Sequence, residues 1–496
     1  MTETTITTPS WVQALDKYVA SKPIEDVAAD LGLKPEEIIM LVANENPNGM
    51  SSKVKEAVAT AALNLNRYPD ADAYHLQKAI AEKYGVPQDW VVIGSGSSEL
   101  LGLAAETVLS EGTTAIYPQY SFSLYPMVAR LCGAETIEIP STGDFNADLD
   151  AMADAVDERT RLIFLTNPNN PTGTYLAEKD ILAFLDKIPP TVMVLFDEAY
   201  VEFLEPALRC DSMEIVRLHP NVMVARTFSK AYGLAGARVG YGIAQPGLLS
   251  MLNRVRHPFN VNDLSQIAAL AALQDQEFVE KTLEVNRKGI KFLSEAFDAL
   301  GLPYMGLHAN FITVKVGPHA DDIVQYLLKK GIIVRRMKSY DLPEWIRVSV
   351  GTPEQNERFL EVLKEALAKF EETSAWKMAV IGCGLIGGSM ALSWKRAGIV
   401  DEVIAFGHNP ATLQKALDKG AADTVTTSME EAVKDADIVV SAVPVEAMES
   451  VFTEMAPFLK SDAVVTDVGS TRQTVIAAAR KGLGDKFHQY APAHPI

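Results

Sequence analysis

Cysteine is scarce in this chain. Cys132, Cys210 and Cys383 are its only three among 496 residues, and none forms a C-x-x-C pair. That spacing excludes a disulfide framework and a thiolate zinc site, and it predicts a reducing, cytoplasmic setting. Histidine is sparse as well, with 8 residues in no ligand-like cluster, so no metal is expected. Positive charge is in deficit: 45 Lys and Arg face 64 Asp and Glu, a formal net charge of -19. Such an acidic chain repels phosphate-rich polymers and anionic bilayers, which argues against a nucleic-acid or membrane partner. Small anions in locally basic pockets stay open. Apolar runs long enough to span a bilayer are missing, and "MTETTITTPSW" lacks the basic and apolar regions of a secretory signal. Repeats and low-complexity tracts are missing too.

The chain does have ordinary globular material, 48% hydrophobic and 22% charged, in a length that calls for two or three cores. Short apolar runs read as strands: "WVVIG" (90–94), "TTAIYP" (113–118), "RLIFLTNP" (161–168), "VMVLFDEAY" (192–200) and "NVMVARTF" (221–228). Amphipathic stretches such as "ADAYHLQKAIAEKYG" (71–85) lie between them. The alternation predicts an α/β fold with a mostly parallel sheet. Long helical patterns over 266–301 and 354–371 flank "NFITVKV" (310–316) and "WIRVSVG" (345–351), which predicts a smaller α/β lobe. A large domain is expected over about 46–265, with the lobe drawn from 1–45 and 266–374. The boundary falls near 375, where "KMAVIG" opens a new strand, and a second module occupies 375–496 behind a short linker.

Chemistry concentrates in "RTFSKAYGLAGARVGYG" (226–242). Lys230 sits among hydroxyls, a glycine-rich turn and Arg238. A lone lysine is usually a solvated charge. This setting suits an amine that binds an aldehyde while its neighbours hold a phosphate, and pyridoxal phosphate carries both groups. Such a cofactor needs a carboxylate at its ring nitrogen, which Asp197 in "VLFDEAY" can supply. Asn170 in "NPNNPTG" and Tyr200 can donate to its phenolic oxygen. "GSGSSELLGLA" (94–104) reads as a helix start for the phosphate, and Tyr120 offers an aromatic face. Each piece alone has a bland reading as a turn, a strand-end carboxylate or a loop.

With "LVANENPNG", "NRYPDA", "PQYSFSLY", "RVRHPFNVN" and "GIIVRRM…WIRVSVGT", the chain up to the boundary resembles fold-type I pyridoxal-phosphate aminotransferases of the histidinol-phosphate branch. The resemblance implies roles. Lys230 would hold the cofactor covalently and move the substrate proton. Asp197 would pair with the ring nitrogen, Asn170 and Tyr200 would face the phenolic oxygen, and Tyr120 would stack on the ring. Ser98, Glu99 (through its backbone N–H), Thr227, Ser229 and Arg238 would surround the phosphate. Tyr68 would reach the phosphate of a neighbouring subunit, implying a homodimer. Arg347 would grip the substrate's anionic end, with Arg335 a second anion ligand and Tyr18 closing over substrate. Many relatives carry an acidic residue where Ser98 stands; a backbone donor survives that change, so only tuning is expected. The reaction implied is amino transfer between a small-molecule donor (histidinol phosphate, an aromatic amino acid, or both) and a 2-oxo acid, with 2-oxoglutarate and glutamate as the acceptor pair. Decarboxylation of a phosphorylated amino acid on the same cofactor is the alternative.

The second module opens "MAVIGCGLIGGSMALSWKRAG" (378–398), where Gly382, Gly384 and Gly387 fit G-x-G-x-x-G between a strand and a helix. About 20 positions further an acidic residue usually binds the ribose of NAD. Gly407 stands there, leaving room for a 2′-phosphate that His408 could help hold; with no arginine adjacent, the expected ligand is NAD or NADP. "DADIVVSAVPVEAM", "AVVTDVGSTR" and "YAPAHPI" resemble the nucleotide-binding half of prephenate dehydrogenases. That resemblance places Ser470 and His494 at the substrate hydroxyl, with the histidine accepting its proton. The sequence stops two residues after His494, so an incomplete dehydrogenase is expected; a nucleotide-sensing or interaction module is the other reading of the tail.

Overall fold

The computed structural model describes residues 7–15, 22–371 and 376–493. Two compact units result, Met1–Leu363 and Lys364–Ile496. In the first, the apolar runs become β1 (Ile39–Leu41), β2 (Val91–Gly94), β3 (Thr114–Pro118), β4 (Glu135–Ile139), β5 (Thr160–Thr166), β6 (Met193–Asp197), β7 (Val222–Thr227), β8 (Gly240–Ile243), β9 (Phe311–Lys315), β10 (Ile332–Arg336) and β11 (Trp345–Ser349).

β2 to β8 form one seven-stranded sheet in the order β2-β8-β7-β6-β5-β3-β4. Only β8 runs antiparallel to its neighbours. Its central strands are apolar on both faces because helices cover both. Ile163, Leu165, Val194 and Phe196 enter one core, and Leu162, Phe164, Met193 and Leu195 the other. The smaller sheet has the order β1-β10-β11-β9, with β1 parallel to β10 and the rest antiparallel.

Two sequence expectations change in detail. The helical pattern over 266–301 is two helices, Asp263–Leu273 and Gln276–Ala299. Asp275 interrupts it, because its carboxylate accepts from the Ser51 hydroxyl at 2.5 Å and from Lys53 Nζ at 3.0 Å. The run 192–200 stops being strand at Asp197, whose carboxylate turns back to accept from the Ala199 N–H at 3.1 Å. That turn sets Asp197 at the carboxyl end of the sheet, level with Thr166 and Ala225.

The second unit holds β12 (Lys377–Ile381), β13 (Glu402–Phe406), β14 (Thr424–Thr426), β15 (Ile438–Ser441) and β16 (Val464–Asp467). They form a wholly parallel sheet in the order β14-β13-β12-β15-β16. The strand order reverses between β12 and β15, and in open α/β sheets ligands bind at that switch point. Among the described residues no helix is long and apolar enough to cross a membrane.

Candidate active site

Asn170, Asp197, Tyr200, Thr227, Ser229 and Lys230 lie at or just past the carboxyl ends of β5, β6 and β7. Asp197 ends β6 and is buried. Tyr125 Oη donates to it at 2.9 Å, and the Tyr125 ring is fixed by stacking on Phe164 at 4.8 Å. Burial raises the Asp197 carboxyl to about 6, since few groups replace the water its charge would need. A cation placed against it would reverse that.

Lys230 follows β7. Its Nζ donates to the Ala43 carbonyl at 2.9 Å and lies 5.9 Å from the Tyr200 ring centre. Burial first, and then the Arg347 charge, lowers its pKa to about 8. The Tyr200 hydroxyl accepts from Asn44 Nδ2 at 2.9 Å. Burial pushes the Tyr200 phenol up, against the pull of Arg347.

Arg347 lies buried on β11. One Nη donates to Asn170 Oδ1 at 2.5 Å and the other to the Val42 carbonyl at 2.9 Å. Its guanidinium carbon sits 5.1 Å from the Phe311 ring centre. Its Nε is buried and has no hydrogen-bond partner among the described residues. Arg335 is its register partner on β10 and is exposed. The Tyr120 ring packs 5.7 Å from Phe145, and its carbonyl accepts from Asn169 Nδ2 at 2.7 Å.

Beside this cluster the helix Gly96–Val108 begins, with Ser98 and Glu99 in its first turn. The Glu99 carboxylate folds back to accept from the Ser95 N–H at 2.5 Å and from Asn260 Nδ2 at 2.7 Å. Thr227 Oγ1 donates to Ser229 Oγ at 2.9 Å, and Arg238 Nη1 to the same oxygen at 3.4 Å. Tyr68 stands apart, 85% exposed, stacked on Phe259 at 5.0 Å. Tyr18 lies outside the described residues.

Several partners had no role assigned from sequence. Tyr125, Asn44 and the Ala43 carbonyl hold Asp197, Tyr200 and Lys230. Tyr125 lies five residues beyond Tyr120, and Asn44 lies inside "LVANENPNG", so the motifs contained them. Their partners are 72 and 156 positions away, and only the fold brings them together.

This arrangement fits pyridoxal phosphate. The Arg238 guanidinium presses on the helix start so closely that a Cβ on Gly96 would lie 2.6 Å from its Nη2. A cation against the positive end of a helix is unfavourable unless an anion joins them, and a phosphate does so. Among the described residues no cation pairs with Asp197, and a protonated pyridine nitrogen would provide one.

In the second unit Gly382, Gly384 and Gly387 link β12 to the helix Leu385–Arg396. Gly387 allows helix and strand to close up, since a Cβ there would lie 2.7 Å from the Gly382 carbonyl. Gly384 caps the helix and a Cβ on it would meet nothing within 4 Å. That open helix start is the space a pyrophosphate occupies, so the loop fits a dinucleotide. Ser470 is exposed just past β16, while the Asp467 carboxylate before it accepts from the Gly469 N–H at 2.8 Å and from the Tyr490 hydroxyl. His494 lies outside the described residues.

The first unit thus has the lysine, aspartate and phosphate cradle of a fold-type I pyridoxal-phosphate transferase. Comparison with known proteins agrees. The family "Aminotransferase class I and II" matches residues 36–363. "Prephenate dehydrogenase, nucleotide-binding domain" matches 390–496. Histidinol-phosphate aminotransferase 2 of Ralstonia nicotianae is 48% identical over 73% of this chain and 98% of its own length. Histidinol-phosphate aminotransferase of Akkermansia muciniphila is 47% identical over 72% of this chain and 97% of its own. Histidinol-phosphate aminotransferase of Sinorhizobium meliloti, solved with pyridoxal-5'-phosphate, superposes with a TM-score of 0.68 at 27% identity, covering 73% of this chain and 98% of that one. The chain belongs to the histidinol-phosphate aminotransferase family, and it carries a prephenate dehydrogenase nucleotide-binding domain as its second unit. It is a pyridoxal-phosphate-dependent aminotransferase of amino-acid metabolism, acting on an amino donor and a 2-oxo acid.

Proposed function

We propose that the first unit transfers the amino group of histidinol phosphate to 2-oxoglutarate, and that aromatic amino acids serve as further donors. The observation that carries the reading is the Lys230–Asp197–Arg347 cluster, in a chain 48% identical to a histidinol-phosphate aminotransferase. The aromatic extension is supported by the second unit, because prephenate chemistry leads to aromatic 2-oxo acids.

When bound, pyridoxal phosphate supplies an aldehyde for the donor's amine and an electron sink for the bond broken at Cα. The chain supplies the rest. Ser98, Glu99, Thr227, Ser229 and Arg238 hold the phosphate. Asp197 keeps the ring nitrogen protonated. Tyr200 and Asn170 face the phenolic oxygen, and Tyr120 covers the ring. Lys230, whose pKa burial lowers to about 8, would carry the proton between the substrate Cα and the cofactor. Arg347 binds the donor's anionic end, where its planar fork accepts phosphate and carboxylate alike. Arg335 would add a second positive charge for the same end, and Tyr18 is assigned there by the family resemblance alone.

We read the functional form as a cytoplasmic homodimer. The exposure of Tyr68 supports a role at the partner's phosphate. The unpaired Cys132, Cys210 and Cys383 support a reducing compartment. Light scattering of the purified chain should return twice the chain mass; a monomer with full activity contradicts it. In the second unit Ser470 and His494 would meet a hydroxylated substrate beside the dinucleotide.

The deciding assay is a donor panel of histidinol phosphate, phenylalanine, tyrosine and glutamate. Glutamate formed from 2-oxoglutarate with histidinol phosphate is expected. Release of carbon dioxide without a 2-oxo product would establish decarboxylation instead.

A further inference from the structure

The second unit contains a cleft that the glycine loop alone does not account for. It has a volume of about 300 Å³ and runs from Gly384 and Ser389 to Thr412, Lys415 and Lys419 on the helix Pro410–Asp418. That helix follows β13, the strand whose end reads the adenosine ribose in dinucleotide folds. A carboxylate there selects NAD by accepting from the 2′-hydroxyl, and it repels a 2′-phosphate. Here the position is Gly407.

The residues that follow it carry no negative charge; the carboxylate on the neighbouring strand's side, Glu431, accepts from Thr426 Oγ1 at 2.6 Å, and the Thr426 carbonyl accepts from the Gly407 N–H at 3.4 Å. His408 is exposed, its ring set edge-on to Phe406 at 5.2 Å. Asn409 caps the helix, and its Oδ1 accepts from the Ala411 N–H at 2.9 Å. No acidic side chain lines the cleft. Asp418, on the same helix, accepts from Gln414 Nε2 at 2.8 Å and is not part of the lining. Lys415 and Lys419 are exposed and form no ion pair among the described residues. Two lysines without an ion-pair partner among the described residues, the Ser389 and Thr412 hydroxyls and the start of the helix Leu385–Arg396 therefore line a volume that reaches the helix following Gly407. The cleft shares the start of the helix Leu385–Arg396, where the pyrophosphate belongs, and extends from it along the helix Pro410–Asp418, whose Thr412 and Lys415 suit a second anion.

We propose that the second unit selects the 2′-phosphorylated dinucleotide NADP over NAD, with Gly407 leaving room for the 2′-phosphate and Lys415 and Thr412 binding it. This rests on the reading of the unit as a nucleotide-binding domain. Gly407 contributes by what it lacks: a Cβ there would meet only Leu413, at an ordinary 3.5 Å, so packing does not require the glycine. Lys415 contributes a point charge that salt would screen.

Isothermal titration of the full-length holoenzyme tests the proposal. NADP is expected to bind about ten-fold or more tightly than NAD, as one charge-assisted phosphate contact predicts. The fragments 2′,5′-ADP and 5′-AMP, which differ only in the 2′-phosphate, should show the same order. Lys415→Glu should weaken NADP about ten-fold and leave NAD within about two-fold. Gly407→Asp should reverse the preference. Equal or tighter NAD binding overturns the proposal and leaves the nucleotide site standing, as does a Lys415→Glu variant that still prefers NADP as strongly as the parent. Binding of neither nucleotide overturns both the preference and the nucleotide-binding reading on which it rests.

Discussion

Asp197 shows how a single residue exchanges stability for chemistry. The unfolded carboxyl titrates at 3.8 and the folded one at about 6. Because folding raises the value, its favourable contribution is complete below 3.8 and is lost as pH rises through about 6. At pH 7 the cofactor-free protein therefore carries a buried charge that opposes folding by roughly 3 kcal/mol. Asp197→Asn should raise the unfolding midpoint of cofactor-free protein at pH 7, and the gain should vanish at pH 3.5. The same variant should lower transamination at least about 100-fold, because the ring nitrogen loses its counter-charge. Denaturant titration at the two pH values, with an activity assay, checks both halves. A variant less stable than the parent at pH 7 would show that the carboxylate is already neutralised by the chain itself.

At the level of elements, the phosphate cradle depends on how closely β8 approaches the helix Gly96–Val108. A Cβ on Gly240 would lie 2.6 Å from the Ser97 nitrogen and 2.8 Å from the Arg226 carbonyl, both fixed backbone atoms. Gly240→Ala must push the helix start away from Thr227 and Arg238. Overpacking of this kind costs about 1–3 kcal/mol. Cofactor affinity should fall together with the thermal midpoint; a fall in midpoint with unchanged affinity would show that the helix start does not hold the phosphate. Element placement was largely legible in the sequence, because a buried parallel strand must be apolar on both faces, as "RLIFLT" and "VMVLF" are. Element ends were less legible. The break at Asp275 and the stop at Asp197 depend on side-chain hydrogen bonds, one of them to a residue 224 positions away. The site shared this division. Lys230, Asp197 and Arg347 announced themselves through local motifs. The contacts of Tyr125 with Asp197, Asn44 with Tyr200 and the Ala43 carbonyl with Lys230 are visible only once the chain has folded.

For the molecule as a whole, one chain joins two α/β units built on different sheets, one for a carbonyl cofactor and one for a dinucleotide. The first links residues from Val42 to Arg347 by hydrogen bonds, so its chemistry depends on both the seven-stranded and the four-stranded sheet. The claim on which everything else rests is that Lys230 is the amine that holds the cofactor. Borohydride reduction of the holoenzyme fixes that bond, and peptide mass analysis locates it. The account predicts the reduced cofactor on the Lys230 peptide alone, with the label lost in Lys230→Ala. A label on any other lysine, or one that survives the substitution, would contradict it.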